Sequence, residues 1–201
     1  NEPPRGIRAN LKTSYSTFRP ELIDGLSMPP EKVDSWKKLL FGLTFFHGLL
    51  QERRKFGPLG FNIQYEFNAS DLENSYMLLN QLLGEFKGGT PWAALLYVTA
   101  EISYGGRVTD DQDRRCLNSI LRQFYTPKIL GEGSNYKFSP SGVYYAPGSG
   151  DQAHYLEYID ALPLFDPPEV FGMHDNANVN YQSQESNALL ATVLSIQPRD
   201  V

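Results

Sequence analysis

The sequence predicts a mainly α-helical fold, a helical bundle carrying one small β-hairpin. Three observations lead there: apolar residues recur at three- and four-residue spacing, helix-start signals precede those stretches, and glycine or proline closes them.

Residues 1–33 contain Pro3, Pro4, Pro20, Pro29 and Pro30 with little periodicity. They read as an extended lead-in docked on a body, or as the remnant of a preceding subdomain. From Asp34 the pattern turns helical, and Trp36, Leu39, Leu40, Leu43, His47 and Leu50 paint one face. Arg53, Arg54 and Lys55 complement the negative end of that helix, and Gly57-Pro58 stops it. A second helix starts at a capping box of Ser70 and Glu73. It buries Leu72, Tyr76, Leu79, Leu83 and Phe86 and ends at Gly88-Gly89. A third follows Thr90, with Pro91 in the first helical position, where no amide donor is needed. Its face is Trp92, Leu95, Leu96, Thr99 and Ile102, and Gly105-Gly106 terminates it. Thr109 and Gln112 form the capping box of a fourth helix, whose stripe is Cys116, Leu117, Ile120, Leu121 and Phe124.

Residues 126–150 break the helical rhythm. Tyr136-Lys137-Phe138 and Val143-Tyr144-Tyr145 flank Ser139-Pro140-Ser141-Gly142, the pattern of a hairpin. A fifth helix begins near Asp151 with Tyr155, Leu156, Ile159 and Leu162 inward, and Pro163, Pro167 and Pro168 interrupt it. A last helix covers 183–196 through Leu189, Leu190, Val193 and Leu194.

Composition narrows the function. With 201 residues, 41% apolar and 13% aromatic, the chain can build a substantial core. Its net charge of −5 is spread over interspersed acids and bases, without the polybasic block that nucleic-acid or anionic-membrane partners require. Cys116 is the only cysteine, which excludes an internal disulfide framework and a cysteine zinc cage and fits a reducing compartment. The sequon Asn68-Ala69-Ser70 is better read as helix-cap chemistry than as a glycan site. The apolar run 39–50 contains Thr44 and His47 and falls short of the ~20 residues of a membrane span, so it reads as a core helix. The chain opens on Asn1-Glu2-Pro3-Pro4 without methionine or signal peptide and stops after Pro198-Arg199-Asp200-Val201, as an excised piece would.

The residues do not assemble a reaction centre in sequence. A phosphate-cradling G-x-x-x-x-G-K-[S/T] loop is absent, and the glycines near Gly88, Gly105, Gly131 and Gly148 fall at helix ends and loops. Asp110, Asp111 and Asp113 resemble the start of a calcium loop, but Arg114 and Arg115 stand where its turn and next ligand belong. Acids opening a helix favour its dipole instead. His47, His154 and His174 lie far apart and form no zinc pair, and His47 reads as a hydrogen-bonded core residue. Cys116 reads as core, and no G-x-S-x-G elbow occurs.

Four peptides resemble dynein heavy chains, particularly the axonemal class. They are Asn1-Glu2-Pro3-Pro4-Arg5-Gly6-Ile7-Arg8-Ala9-Asn10-Leu11, Gln51-Glu52-Arg53-Arg54-Lys55-Phe56-Gly57-Pro58-Leu59-Gly60, Tyr104-Gly105-Gly106-Arg107-Val108-Thr109-Asp110-Asp111 and Pro168-Glu169-Val170-Phe171-Gly172-Met173-His174-Asp175-Asn176-Ala177. Their order and spacing agree over essentially the whole chain. It departs at Phe61 and Gln64, where the family often has tryptophan and proline, and at Gln112, where tryptophan is common.

The resemblance implies the helical lid of the sixth AAA+ module of the motor ring. Residues 1–33 would end that module's large subdomain and link onward, 34–180 would be the lid, and 181–201 a helix leading into the C-terminal domain. It further implies an ATP-driven, minus-end-directed microtubule motor of the axoneme, in cilia or flagella, with ATP and magnesium bound by other modules. This piece would hold no cofactor or metal and would be a structural, non-catalytic part. Its partners would be the neighbouring AAA+ modules and the C-terminal domain, with the microtubule reached only through the parent chain. A stand-alone helical adaptor is the competing expectation.

One segment stands out as a contact candidate. Phe56, Leu59 and Phe61 sit on a turn bent by Gly57, Pro58 and Gly60. Burying each such side chain contributes roughly 1.5–3 kcal/mol, so something should cover them. Either they fold back on the chain's own helices, or part of the turn docks on a neighbouring subdomain with Arg53 and Arg54 at its rim.

Overall fold

The structure is a computed structural model describing residues 4–131 and 136–196. The first three residues of the opening peptide and the last five of the 181–201 piece therefore lie outside it. Eight α-helices are found among the described residues: α1 (Ile7–Thr17), α2 (Pro20–Ile23), α3 (Val33–Arg53), α4 (Ala69–Glu85), α5 (Trp92–Tyr97), α6 (Asp111–Phe124), α7 (Gln152–Asp160) and α8 (Asn176–Ile196).

Helix α3 is the axis. The expected single face is exceeded, because every residue from Leu39 to Arg53 is buried. Helices α1, α4 and α6 and the turn Pro127–Leu130 pack around it, and a helix apolar on all sides needs such an enclosure. The lead-in is helical rather than extended. Ile7, Leu11 and Tyr15 repeat every fourth residue and are fully buried against α3 and α7. Asp166 receives the Ile7 amide at 2.8 Å, which satisfies a free donor at the start of α1.

The helix starts fall near their expected places with different residues in charge. Helix α4 is capped by Asn68, whose Oδ1 accepts the Ser70 amide, while Asp71 Oδ2 accepts the Asn68 amide at 2.9 Å. The expected Ser70–Glu73 box is displaced because Asn68 is the last extended residue, at φ −122° and ψ 175°. Helix α6 is capped by Asp110, which accepts the Gln112 and Asp113 amides, in place of the Thr109–Gln112 box. Pro91 precedes α5 with ψ 68°, so Trp92 is the first helical residue.

The third helix is broken in pitch. After Tyr97 it widens into a π-helical turn over Val98–Ser103, where the Tyr104 amide bonds Thr99 oxygen five residues back. The extra residue rotates Ile102 outward and Tyr104 into the core. Phe86, expected inside, is exposed because α4 ends at Glu85 and the chain leaves in an extended conformation.

The hairpin is not formed. Among the described residues one isolated antiparallel bridge, Lys137 to Tyr145, stands in its place. Proline lies within the connection, and Phe138 packs its ring 4.8 Å from that of Phe45 and 4.9 Å from that of Phe124 while its amide bonds Tyr144 oxygen at 2.8 Å. Helix α8 starts at Asn176, seven residues early, and Leu189, Leu190, Val193 and Leu194 are exposed. No described helix is long and apolar enough to cross a membrane.

Candidate functional site: a clamped turn after helix α3

The end of α3 passes into a 3-10 turn, Arg54–Leu59, kinked at Gly57 with φ 54° and ψ −132°. Glycine occupies that left-handed region without the Cβ clash other residues would meet. Gly60 approaches so closely that a Cβ there would lie 2.1 Å from Arg53 oxygen.

Arg53 is the clamp rather than a dipole partner at the surface. It is 6% exposed. Its Nε and Nη2 donate to Gly60 oxygen at 3.1 and 2.8 Å, and its Nη1 donates to Phe171 oxygen at 2.7 Å. The guanidinium lies 5.1 Å from the Phe61 ring centre and 3.4 Å from Cys116 Sγ, which is half-buried beside it. Burial pushes the Arg53 pKa down, while Cys116 and Asp113 pull it back. Its rigid fork suits this task, since one side chain ties two loops at once.

A second anchor comes from α6. Asp113, nearly fully buried, accepts the Asn62 amide at 2.8 Å, the Ile63 amide at 3.0 Å and the Tyr65 hydroxyl at 3.0 Å. Asp110 also accepts Asn62 Nδ2 at 3.2 Å. Two of the three carboxylates that suggested a metal loop, Asp110 and Asp113, thus hold helix amides and this turn. Among the described residues no three His, Cys, Asp or Glu side chains are grouped to hold a metal ion.

The expected contact residues divide. Phe56 is 3% exposed and meets the Phe171 ring at 5.1 Å and the Tyr181 ring at 6.3 Å. Phe61 is buried against Arg53, Tyr65 and Phe67. Leu59 is 54% exposed, and Ile63 is exposed with it. Two aromatic anchors therefore turn inward while aliphatic side chains remain at the surface. Arg54 is half-buried and lines a cleft of about 230 Å³ shared with Leu50, Pro58, Phe61 and Ile63.

Lys55 fastens the root of α8. Its Nζ lies 5.0, 4.8 and 5.7 Å from the ring centres of Phe56, Phe171 and Tyr181. Burial raises the Tyr181 pKa to about 12, helped by a hydrogen bond to Glu185. Burial also raises the Glu52 pKa, against the Gly6 amide and Lys55. Asn10 Nδ2 donates to Glu52 at 3.2 Å. Arg5, Glu52, Arg54, Lys55, Tyr181 and Glu185 surround a polar cleft of about 270 Å³ there.

Sequence reasoning missed Asp113, Phe171 and Tyr181 as partners of this turn. The local signal was that Asp113 and Phe171 lay in stretches already singled out for other reasons, while nothing marked Tyr181. It also missed a wider, open groove of about 810 Å³ between the end of α1, α2 and α4, whose lining includes Phe18, Leu22, Tyr76 and Met77. Arg19 and Glu73 are the charged residues of that groove's lining.

A family model described as "Dynein heavy chain AAA lid domain" matches residues 36–177. Dynein axonemal heavy chain 6 of Homo sapiens is 47% identical over 199 residues, covering 99% of this chain and 5% of that protein. Human dynein axonemal heavy chain 1 is 48% identical over 199 residues, covering 98% of this chain and 4% of that protein. Dynein axonemal heavy chain 12 of Rattus norvegicus is 46% identical over 200 residues, covering 98% and 6%. The chain spans about a twentieth of the length of these relatives. With the match extending over most of its length, the chain belongs to the dynein heavy chain AAA lid domain family.

Proposed function

We propose that this chain is the non-catalytic lid of the sixth AAA+ module in an axonemal dynein heavy chain, an ATP-driven, minus-end-directed motor on ciliary or flagellar microtubules. The lid-family match over residues 36–177 carries the reading, and it favours a ring lid over a stand-alone adaptor. Residues 1–33 then end the large subdomain, 34–180 form the lid and 181–201 lead into the C-terminal domain. ATP and magnesium act at other modules, and the microtubule is reached only through the rest of the heavy chain. The lid's partners are neighbouring AAA+ modules and the C-terminal domain, with no nucleic acid or membrane among them.

Its work is mechanical. Phe56 and Phe61 fix the turn on the lid while Leu59 presents an apolar side chain to a neighbouring subdomain. The test is a heavy-chain motor ring carrying this chain, compared with the same ring carrying Leu59→Ser. Closed rings in electron micrographs and ATP-driven microtubule gliding should both decline, while the melting temperature of the 201-residue chain stays within about one degree, as for other surface substitutions. Unchanged closure and gliding would refute the docking role, and steady ATP hydrolysis by the chain alone would refute the non-catalytic assignment.

A further inference from the structure

The cleft beside the exposed turn has a polarity that specifies what it can hold. Leu50 and Phe61, both buried, give it apolar walls, and Ile63 is exposed at the surface. Its volume of about 230 Å³ is below the ~300–1,000 Å³ of a small-molecule site and suits a protruding side chain. Arg54 lines the same cleft, and among the described residues its side chain makes no hydrogen bond and no ion pair within 4 Å. Two acids share a cleft with it: Glu52, which feels its charge but already meets Asn10 at 3.2 Å and Lys55 at 4.0 Å, and Glu185, which already meets Arg5 at 3.2 Å. At Asn62, another wall residue, the neighbouring charge is the carboxylate of Asp110. A ligand carboxylate is thus favoured at Arg54 and disfavoured beside Asn62.

We propose that the cleft receives an acidic, apolar polypeptide segment of the neighbouring subdomain. One aliphatic or aromatic side chain enters between Leu50 and Phe61, and a nearby Asp or Glu pairs with Arg54. This rests on the docking role proposed above and adds the partner's chemistry. The unpaired guanidinium supplies the charge complementarity: its planar N–H groups can donate side-on to a carboxylate, and desolvation by the apolar walls strengthens the pair over one in open water.

The experiment is hydrogen exchange on the turn amides 57–64 in the heavy-chain ring carrying this chain, at low and high salt, for the native sequence, Arg54→Gln, Arg54→Lys and Leu59→Ser. Arg54→Gln should speed exchange roughly threefold and remove most of its salt dependence, as loss of one partly exposed ion pair implies. Arg54→Lys should recover part of the protection. Arg54→Gln should leave the melting temperature of the 201-residue chain nearly unchanged, since among the described residues the Arg54 side chain makes no hydrogen bond or close ion pair and acts on Glu52 only through its charge. If Leu59→Ser speeds exchange while Arg54→Gln does not, docking stands and the acidic partner is refuted. If neither changes exchange, both are refuted. If Arg54→Gln melts the chain itself several degrees lower, Arg54 is structural and the inference is overturned.

Discussion

Arg53 holds Gly60 twice, with Nε and Nη2 both donating to its carbonyl oxygen at 3.1 and 2.8 Å. The third arm of the same guanidinium reaches Phe171 across 118 positions of sequence. The turn that carries Leu59 is therefore shaped by the last residue of α3 and locked to the loop from which α8 departs. The consequences can be measured.

Replacing Arg53 should be among the most damaging changes in the chain. Arg53→Ala leaves two buried carbonyls without their charged donor and should cost about 3 kcal/mol, each such bond contributing roughly 1.5–3. Arg53→Lys should recover less than half, because an ammonium cannot fork between both carbonyls. Urea denaturation measures this, and a loss below about 1 kcal/mol for Arg53→Ala contradicts the clamp.

Gly60→Ala should destabilise for lack of space, not for backbone strain. Gly60 has φ −78°, which alanine adopts freely, but the added Cβ would sit 2.1 Å from Arg53 oxygen. The backbone must shift, at a cost of about 1–3 kcal/mol. Combining Gly60→Ala with Arg53→Ala should cost less than the sum, since a backbone shift at Gly60 already disturbs the carbonyl that the Arg53 side chain holds. Additive losses would place the two residues in independent roles.

His47 makes the core acid-sensitive. Burial lowers its pKa from 6.5 to about 4, against a smaller opposing pull from Asp71, and its Nδ1 lies 2.9 Å from the Tyr104 hydroxyl. The folded pKa is depressed, so its contribution is fully present above pH 6.5 and is lost as pH falls toward 4. The total is about 3 kcal/mol. His47→Gln retains a partner for Tyr104 and removes this titration. Between about pH 7 and pH 4.5 the native chain should lose roughly 2 kcal/mol more than the variant. Equal losses would show that His47 is readily charged in the fold.

The same residues show what the sequence could reveal. His47 and Leu39 through Leu50 were legible as core because apolar periodicity needs no knowledge of partners, though not that α3 is enclosed on every side. Caps slipped by one or two positions because Asn68, Ser70, Thr109 and Asp110 can all cap, and only the backbone decides which is the last extended residue. The π-helical turn left no sequence mark, so Ile102, expected inside, lies exposed while Tyr104 fills the core. At the turn, Leu59, Phe56 and Phe61 were found as a group with Arg53 beside them, but which side chain faced out depended on Asp113 and Phe171, both brought there by tertiary contact. Long-range polar partners carry no periodicity.

Helix α8 should be the least protected helix of the isolated chain. Its root is held through Tyr181 and the Lys55 ring cluster, and Arg5 meets Glu185 at 3.2 Å in a pair too exposed to contribute much. From residue 182 to 196 every residue is exposed, including Leu189, Leu190, Val193 and Leu194. Isolated helices shorter than ~12–15 residues are marginal in water, and Thr192, Val193 and Ile196 are β-branched residues of modest helix propensity. Amides 186–196 should thus exchange within about tenfold of unprotected peptide, while those of α3 exchange slowest, near the global unfolding limit. In the motor ring the same amides should become protected as the apolar row is covered. Leu190→Lys should reduce that protection without lowering the chain's own melting temperature, because the side chain packs on nothing described here. Strong protection of 186–196 in the isolated chain, independent of its concentration, would contradict an uncovered row.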